Sequence, residues 1–171
     1  AAGRALLASP HHRNPEALAL MDSWRCPPQR WALASRLREE CALHAAIDLS
    51  DGLWMDAQRM GKASDVTMTF DLDALGLDED LEWAGKALGQ RPFSWVLSGG
   101  EDYEVLLAAP ELPPTWAQRQ GVKVVGRVRA GAPRVEFLRD GVQWKPDFPI
   151  SGWDPERQRR VSGAPARPLG L

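Results

Sequence analysis

The chain has 171 residues, enough for one domain with a sizeable core and too few for two ordinary ones. Apolar residues make up 44% and charged residues 26%, the profile of a globular protein. With 21 Lys and Arg against 23 Asp and Glu, the net charge of −2 gives no basic excess for nucleic acid and no polybasic membrane anchor.

No apolar run approaches the ~20 residues of a spanning helix. His11, His12, Arg13 and Asn14 interrupt the alanines and leucines of the first twenty positions, which therefore do not read as a signal peptide. Only Cys26 and Cys41 occur, without a CxxC pair, so neither a structural zinc nor a disulfide framework is expected, and the thiols read as those of a cytoplasmic protein. The eight tryptophans read as packing residues, since no positive charge accompanies them.

Ala1–Leu7 reads as the tail of a helix. Asn14 can cap a helix with Pro15 at its first position, running to about Ser23. Pro27 and Pro28 break it. Arg30–Glu40 carries apolar residues at helical spacing (Trp31, Leu33, Ala34, Leu37). His44–Asp48 is a short apolar run, a buried strand by this reading, and Ser50 or Asp51 then caps a helix to about Lys62. Val66–Phe70 alternates as a strand. Asp71–Asp80 reads as an acidic loop, Asp80–Leu88 as a helix. Phe93–Leu97 and Tyr103–Ala109 read as two strands joined in an antiparallel hairpin by the turn "SGGED". A short helix at Pro113–Arg119 and strands at Val122–Val128 and Arg134–Leu138 follow. Beyond Gln143, prolines, glycines and arginines occur without periodicity. The order suggests an α+β fold, a mostly antiparallel sheet with helices packed on one face.

Three stretches carry candidate chemistry. In "IDLSDG", Ile47–Gly52, Asp48 ends a strand while Ser50 and Asp51 sit at a helix N-terminus, whose unpaired N–H groups suit a phosphate or a carboxylate cap. Asp48 and Asp51 together could hold a hard cation, since Mg²⁺ takes oxygen ligands and keeps several waters. The ordinary use of Asp or Ser there is capping alone. In "SGGEDYEVLLAAP", Ser98–Pro110, the glycines permit positive φ or close backbone approach, but a turn does not need Glu101 and Asp102. The ordinary reading is a solvated acidic turn. Strand alternation carried back from Tyr103 would send Glu101 and Asp102 to opposite faces, so that only one enters a cleft and the other bonds backbone N–H groups of the turn. In "GWDP", Gly152–Pro155, a loop tryptophan can stack on a heteroaromatic ring or plug the core.

Together these motifs resemble one family. "AAIDLSDGLWMDAQRM", then "SGGEDYEVLLAAP", then "GWD", look like the C-terminal half of the thiamine-monophosphate kinases. These belong to the superfamily of aminoimidazole-ribonucleotide synthetase and selenophosphate synthetase. "CPPQR" and "AAGRALL" resemble further segments of the family. The resemblance covers residues 1–154, leaving 155–171 as an irregular tail, with the N-terminal ATP-binding domain absent. The Gly-Gly-Glu-Asp-Tyr-Glu stretch is the more specific motif. The family transfers the γ-phosphoryl group of ATP to thiamine monophosphate, giving thiamine diphosphate, by direct in-line transfer with several Mg²⁺ ions. The resemblance implies that Asp48 and Asp51 ligate Mg²⁺ and Ser50 contacts ATP. Glu101 would contact the thiamine phosphate, and Trp153 would lie against that substrate. It implies a cytoplasmic enzyme, homodimeric at full length, and a segment inactive in isolation. The family's Gly-aromatic-Asp-His-Phe departs here to Pro155 and Glu156 after Asp154. Two alternatives stay open: a sister ATP-dependent enzyme of the superfamily, or a non-catalytic nucleotide- or partner-binding module that keeps the fold.

Overall fold

A computed structural model describes residues 1–112 and 114–150. The expectations for Trp153 and the 155–171 tail lie outside these residues.

Two clusters of apolar side chains organise the chain. The smaller joins three helices near its start: α1 (Ala2–Leu7), α2 (Pro15–Arg25) and, from later in the chain, α6 (Glu79–Leu88), around Leu6, Ala17, Met21 and Ala84. Pro15 opens α2 as expected, but the Asn14 side chain makes no capping bond. α3 (Trp31–Glu40) follows the Pro27–Pro28 break and buries Leu37.

The larger cluster holds the strands. β1 (Ala45–Asp48) alternates half-buried and exposed positions, so it is a one-faced strand rather than the fully buried one expected. β2 (Val66–Asp71) buries Met68 and Phe70. Between them α4 (Leu53–Ala63) puts Leu53, Ala57 and Met60 against Met68, Phe70, Leu97, Leu106 and Phe137. Each such side chain withdrawn from water contributes about 1.5–3 kcal/mol before entropy is counted. The expected acidic loop contains one helical turn, α5 (Leu72–Leu75), because Asp71 accepts from the N–H groups of Asp73 and Ala74 at 2.9 and 3.3 Å. α6 is capped by Asp78, 2.7 Å from Leu81 N, and ends at Gly89 in the left-handed region.

The stretch Phe93–Leu97 is helical, not a strand: α7 spans Pro92–Ser98. Its aromatic and β-branched residues favour a strand locally, yet Phe93, Val96 and Leu97 face the same cluster at i, i+3 and i+4, and Pro92 occupies the first helical turn. There is consequently no hairpin across "SGGED". β3 (Val105–Ala108) pairs instead with β1, antiparallel, from Ala45 opposite Ala108 to Asp48 opposite Val105.

After α8 (Pro114–Gln120), the second sheet is completed by β4 (Gly126–Ala130), β5 (Arg134–Arg139) and β6 (Val142–Trp144), in the order β4-β2-β5-β6. β4 starts later than expected. Residues 122–125 are not a strand, although Val125 O still accepts from Asp71 N at 2.8 Å. The β2–β4 and β5–β6 pairings are antiparallel and β2–β5 is parallel. The chain is thus α+β with mostly antiparallel pairing, as expected, but the strands among the described residues form two sheets. α4 packs on β2 and β5 and also touches β1, which links the sheets.

Candidate functional site

The two principal motifs meet. The β1–β3 ladder does not stop at Asp48 and Val105; it continues into both loops. Leu49 N donates to Glu104 O at 2.8 Å, Tyr103 N to Leu49 O at 3.0 Å, and Glu101 N to Ser50 O at 2.9 Å. Residues 49–52 and 98–104 are thereby laced into one junction at the end of the small sheet. Gly52 makes this approach possible. It has φ +103°, and a Cβ there would lie 3.0 Å from Leu97 O and from Ser98 Cα.

Positive φ recurs at Gly100, Glu101 and Tyr103. Left-handed backbone at a non-glycine residue is uncommon. It also ends the simple alternation expected of Glu101 and Asp102, because no strand runs back through them. The Glu101 carboxylate points toward α1 and α2: Oε2 accepts from Trp24 Nε1 at 3.0 Å and lies 3.9 Å from Arg4 Nη1. Asp102 does not bond the turn's backbone among the described residues; it lies 3.8 Å from Ala1 N. Burial raises the Asp102 carboxyl above the ordinary aspartate value, reinforced by Glu104 and Glu101. The Ser98 hydroxyl is buried in the same loop without a hydrogen-bond partner among the described residues.

Arg30, from the "CPPQR" segment, clasps Glu104 with two hydrogen bonds of 2.8 and 2.5 Å. Those bonds raise the pKa of its guanidinium. A third motif of the resemblance therefore reaches the junction.

On the other side of the junction, Asp48 is exposed at the end of β1 and Ser50 and Asp51 are half-buried. Neither Ser50 nor Asp51 caps α4. The N-cap position is Gly52, without a side-chain bond. The N–H groups of Ser50 and Asp51 are not open to a phosphate either, because Asp56 Oδ2 accepts from both, at 3.0 and 2.9 Å. Asp56 is 1% exposed. Sequence reasoning missed it; the signal was a carboxylate on the otherwise apolar face of α4. Arg59 pairs with the Asp51 carboxylate and with Asp56 Oδ1, the latter at 2.7 Å. Hydrogen bonding to Asp51, more than to Asp56, raises the Arg59 pKa.

Asp51 therefore caps no helix; its carboxylate is held by Arg59, and Asp48 presents a second one nearby in sequence. Among the described residues no three His, Cys, Asp or Glu side chains converge as a metal cluster. Two carboxylates fit Mg²⁺ nonetheless, because this cation commonly takes one or two protein carboxylates and fills its octahedron with water and phosphate oxygens. No helix among the described residues is long and apolar enough to cross a membrane.

No protein-family model matches the chain. A thiamine-monophosphate kinase of Mycobacterium tuberculosis (strain CDC 1551 / Oshkosh) is 40% identical over 102 residues, which are 58% of this chain and 28% of that protein. The thiamine-monophosphate kinase of Aquifex aeolicus (strain VF5) is 29% identical over 126 residues, covering 74% of this chain and 40% of that one. Among solved structures, AaThiL complexed with AMPPCP and TMP matches with a TM-score of 0.67 and 27% identity, over 89% of this chain and 46% of that one. Thiamine-monophosphate kinase from Stenotrophomonas maltophilia K279a matches with a TM-score of 0.60 and 28% identity, over 75% and 40%. The resemblance read from the motifs is borne out in sequence and in fold, over the C-terminal part of these kinases. The chain spans less than half the length of each of these relatives.

Proposed function

We propose that this chain supplies the C-terminal part of a thiamine-monophosphate kinase, the enzyme that phosphorylates thiamine monophosphate to thiamine diphosphate with ATP. The observation that carries the reading is the junction. Two motifs far apart in sequence are laced together by backbone hydrogen bonds from residues 49–50 to residues 101–104. A solvated acidic turn and an ordinary helix cap have no need of each other. A shared ligand gives both a reason to be there.

Asp48 and Asp51 hold Mg²⁺ in this proposal. When bound, the ion offsets charge on the phosphates of ATP. Ser50 contacts ATP, and Glu101, oriented by Trp24 and Arg4, contacts the thiamine phosphate. Trp153, outside the described residues, is proposed to lie against the same substrate. Phosphoryl transfer asks a protein for positioning and charge neutralisation rather than for a covalent nucleophile. The acidic terminal phosphate of thiamine monophosphate already carries the attacking oxygen, so no protein side chain needs to be activated as a nucleophile. The remaining ATP-binding groups and the homodimer contact belong, on this proposal, to the part of the relatives that this chain does not span, and the enzyme is cytoplasmic.

The test is to incubate the longest natural polypeptide containing this sequence with ATP, Mg²⁺ and thiamine monophosphate and to separate the products by chromatography. Thiamine diphosphate formed in proportion to enzyme supports the proposal. ATP turnover on another acceptor, with none on thiamine monophosphate, overturns it.

A further inference from the structure

Asp56 and Arg59 stand one turn apart on α4, and their partners make an unusual set. Asp56 is buried; Arg59 is half exposed, with 51% of its side chain in contact with solvent. One guanidinium nitrogen, Nη1, serves two carboxylates, Asp51 and Asp56. The backbone bonds from Ser50 and Asp51 need only an acceptor oxygen at position 56, which a neutral Asn would also provide. A full negative charge buried at that point is unfavourable unless a cation accompanies it. The charge of Asp56 therefore does something that shaping the loop does not require: it retains Arg59.

We propose, building on the reading of Asp51 as a metal ligand, that Asp56 is a positioning residue which parks Arg59 on Asp51 as a place-holding cation. Arg59 gives up Asp51 when a divalent cation is taken up, and keeps Asp56 throughout. The geometry suits this division. In the proposed exchange Arg59 keeps the 2.7 Å bond to Asp56 that it makes in this structure, so the buried carboxylate stays compensated. Because both contacts run through Nη1, the exchange turns the half-buried Asp51 carboxylate off Nη1 while Nη1 stays on Asp56. The Asp51 loop is meanwhile held in one shape by the two backbone bonds to Asp56, so cation uptake requires a side-chain exchange rather than a refolded loop. Arg59 and the incoming cation compete for Asp51, and the competition sets the affinity of the site.

The test is calorimetric titration of Mn²⁺, as a probe for Mg²⁺, into the complete chain and four variants. Removing one unit charge a few ångström from a largely solvated cation site corresponds to about a fivefold or larger change in affinity. Arg59→Gln is therefore expected to bind Mn²⁺ at least about fivefold more tightly than the parent chain. Arg59→Lys keeps the charge and is expected to bind as the parent does. Asp51→Asn is expected to lose the binding. Should Arg59→Gln fail to fold, the double variant Asp56→Asn/Arg59→Gln removes the buried charge with its partner, leaves an acceptor for both N–H groups, and is expected to bind more tightly than the parent by a smaller factor, since Asp51 loses its competitor while the net local charge is unchanged. Equal or weaker binding by the variants lacking Arg59, or no binding by any chain at millimolar Mn²⁺, overturns the place-holder. Parental binding by Asp51→Asn identifies a different failure, that of Asp51 as a metal ligand, and removes the premise with it.

Discussion

The motif junction and the four-stranded sheet are built by different means. In the sheet, Met68 and Phe70 of β2 and Phe137 of β5 enter the core, while Arg134 and Glu136 of β5 and Arg129 of β4 form an ionic row. Apolar burial fixes it, and its charges are ornamental to the packing. In the junction, little follows from apolar burial. Backbone bonds between two loops, left-handed residues, one deeply buried carboxylate and shared guanidinium groups hold it together. Irregular, polar construction is costly, and proteins keep it where position matters more than stability. The contrast separates residues that should govern activity from residues that should govern melting.

The largest effect on activity is expected at Asp51. On the proposed function, Asp51→Asn in the full-length protein should lower turnover by about 100-fold or more, since each ~1.4 kcal/mol of lost charge stabilisation is tenfold in rate. Its melting should change little, because a partly exposed ion pair is worth about 0–1 kcal/mol. Steady-state kinetics beside thermal melting reads both. A wild-type rate at saturating Mg²⁺ would return Asp51 to a purely structural role.

The sheet side of the comparison is sharpened by Leu97→Ala. Leu97 is fully buried at the point where α7 meets the core, so its truncation should cost about 2–5 kcal/mol. A denaturation midpoint lowered accordingly is expected. Gly52→Ala tests whether the junction needs its backbone geometry. The positive φ and the 3.0 Å approach to Leu97 and Ser98 predict a loss of about 1–3 kcal/mol, together with a raised KM for thiamine monophosphate. Unchanged melting would show that the loops have room to separate.

The smallest effect is expected at Glu136, far from any proposed chemistry. Hydrogen bonds from Arg134, then Arg129, hold its carboxyl below the ordinary glutamate value of 4.5. A lowered folded-state pKa contributes stability that is present above the unfolded value and lost as pH falls through the folded one. Glu136→Gln should therefore melt slightly below the parent at neutral pH, and the gap should close as the pH falls below the ordinary glutamate value and through the lowered folded-state one, with kinetics untouched throughout.

These contrasts also explain which features the sequence made legible. Helices α2, α3, α4 and α6 announced themselves through Pro15, the Pro27–Pro28 break and apolar residues at helical spacing. β2 and β5 did so through alternation. The stretch Phe93–Leu97 misled because Phe, Trp and Val favour strands locally, while the core received Phe93, Val96 and Leu97 at helical spacing. Strand pairing was misplaced with it, since β3 finds β1 across a long sequence separation that no local pattern records. At the site, Asp48, Ser50, Asp51 and Glu101 stood out as motif residues. Asp56, Arg59 and Arg30 lay inside the quoted stretches with no role assigned to them, and Trp24 lay outside. Their roles arise from where α2, α3 and α4 carry them, and a carboxylate on an apolar helix face was the only advance notice of Asp56.

The central claim is that the two loops share one pair of ligands. It is tested most directly by a crystal structure of the full-length protein with AMPPCP, Mg²⁺ and thiamine monophosphate. The account predicts Mg²⁺ at about 2.1 Å from carboxylate oxygens of Asp48 and Asp51, and Glu101 in contact with the thiamine phosphate on the opposite side of the junction. Both ligands bound away from residues 48–51 and 98–104, with Arg59 still on Asp51, would contradict it.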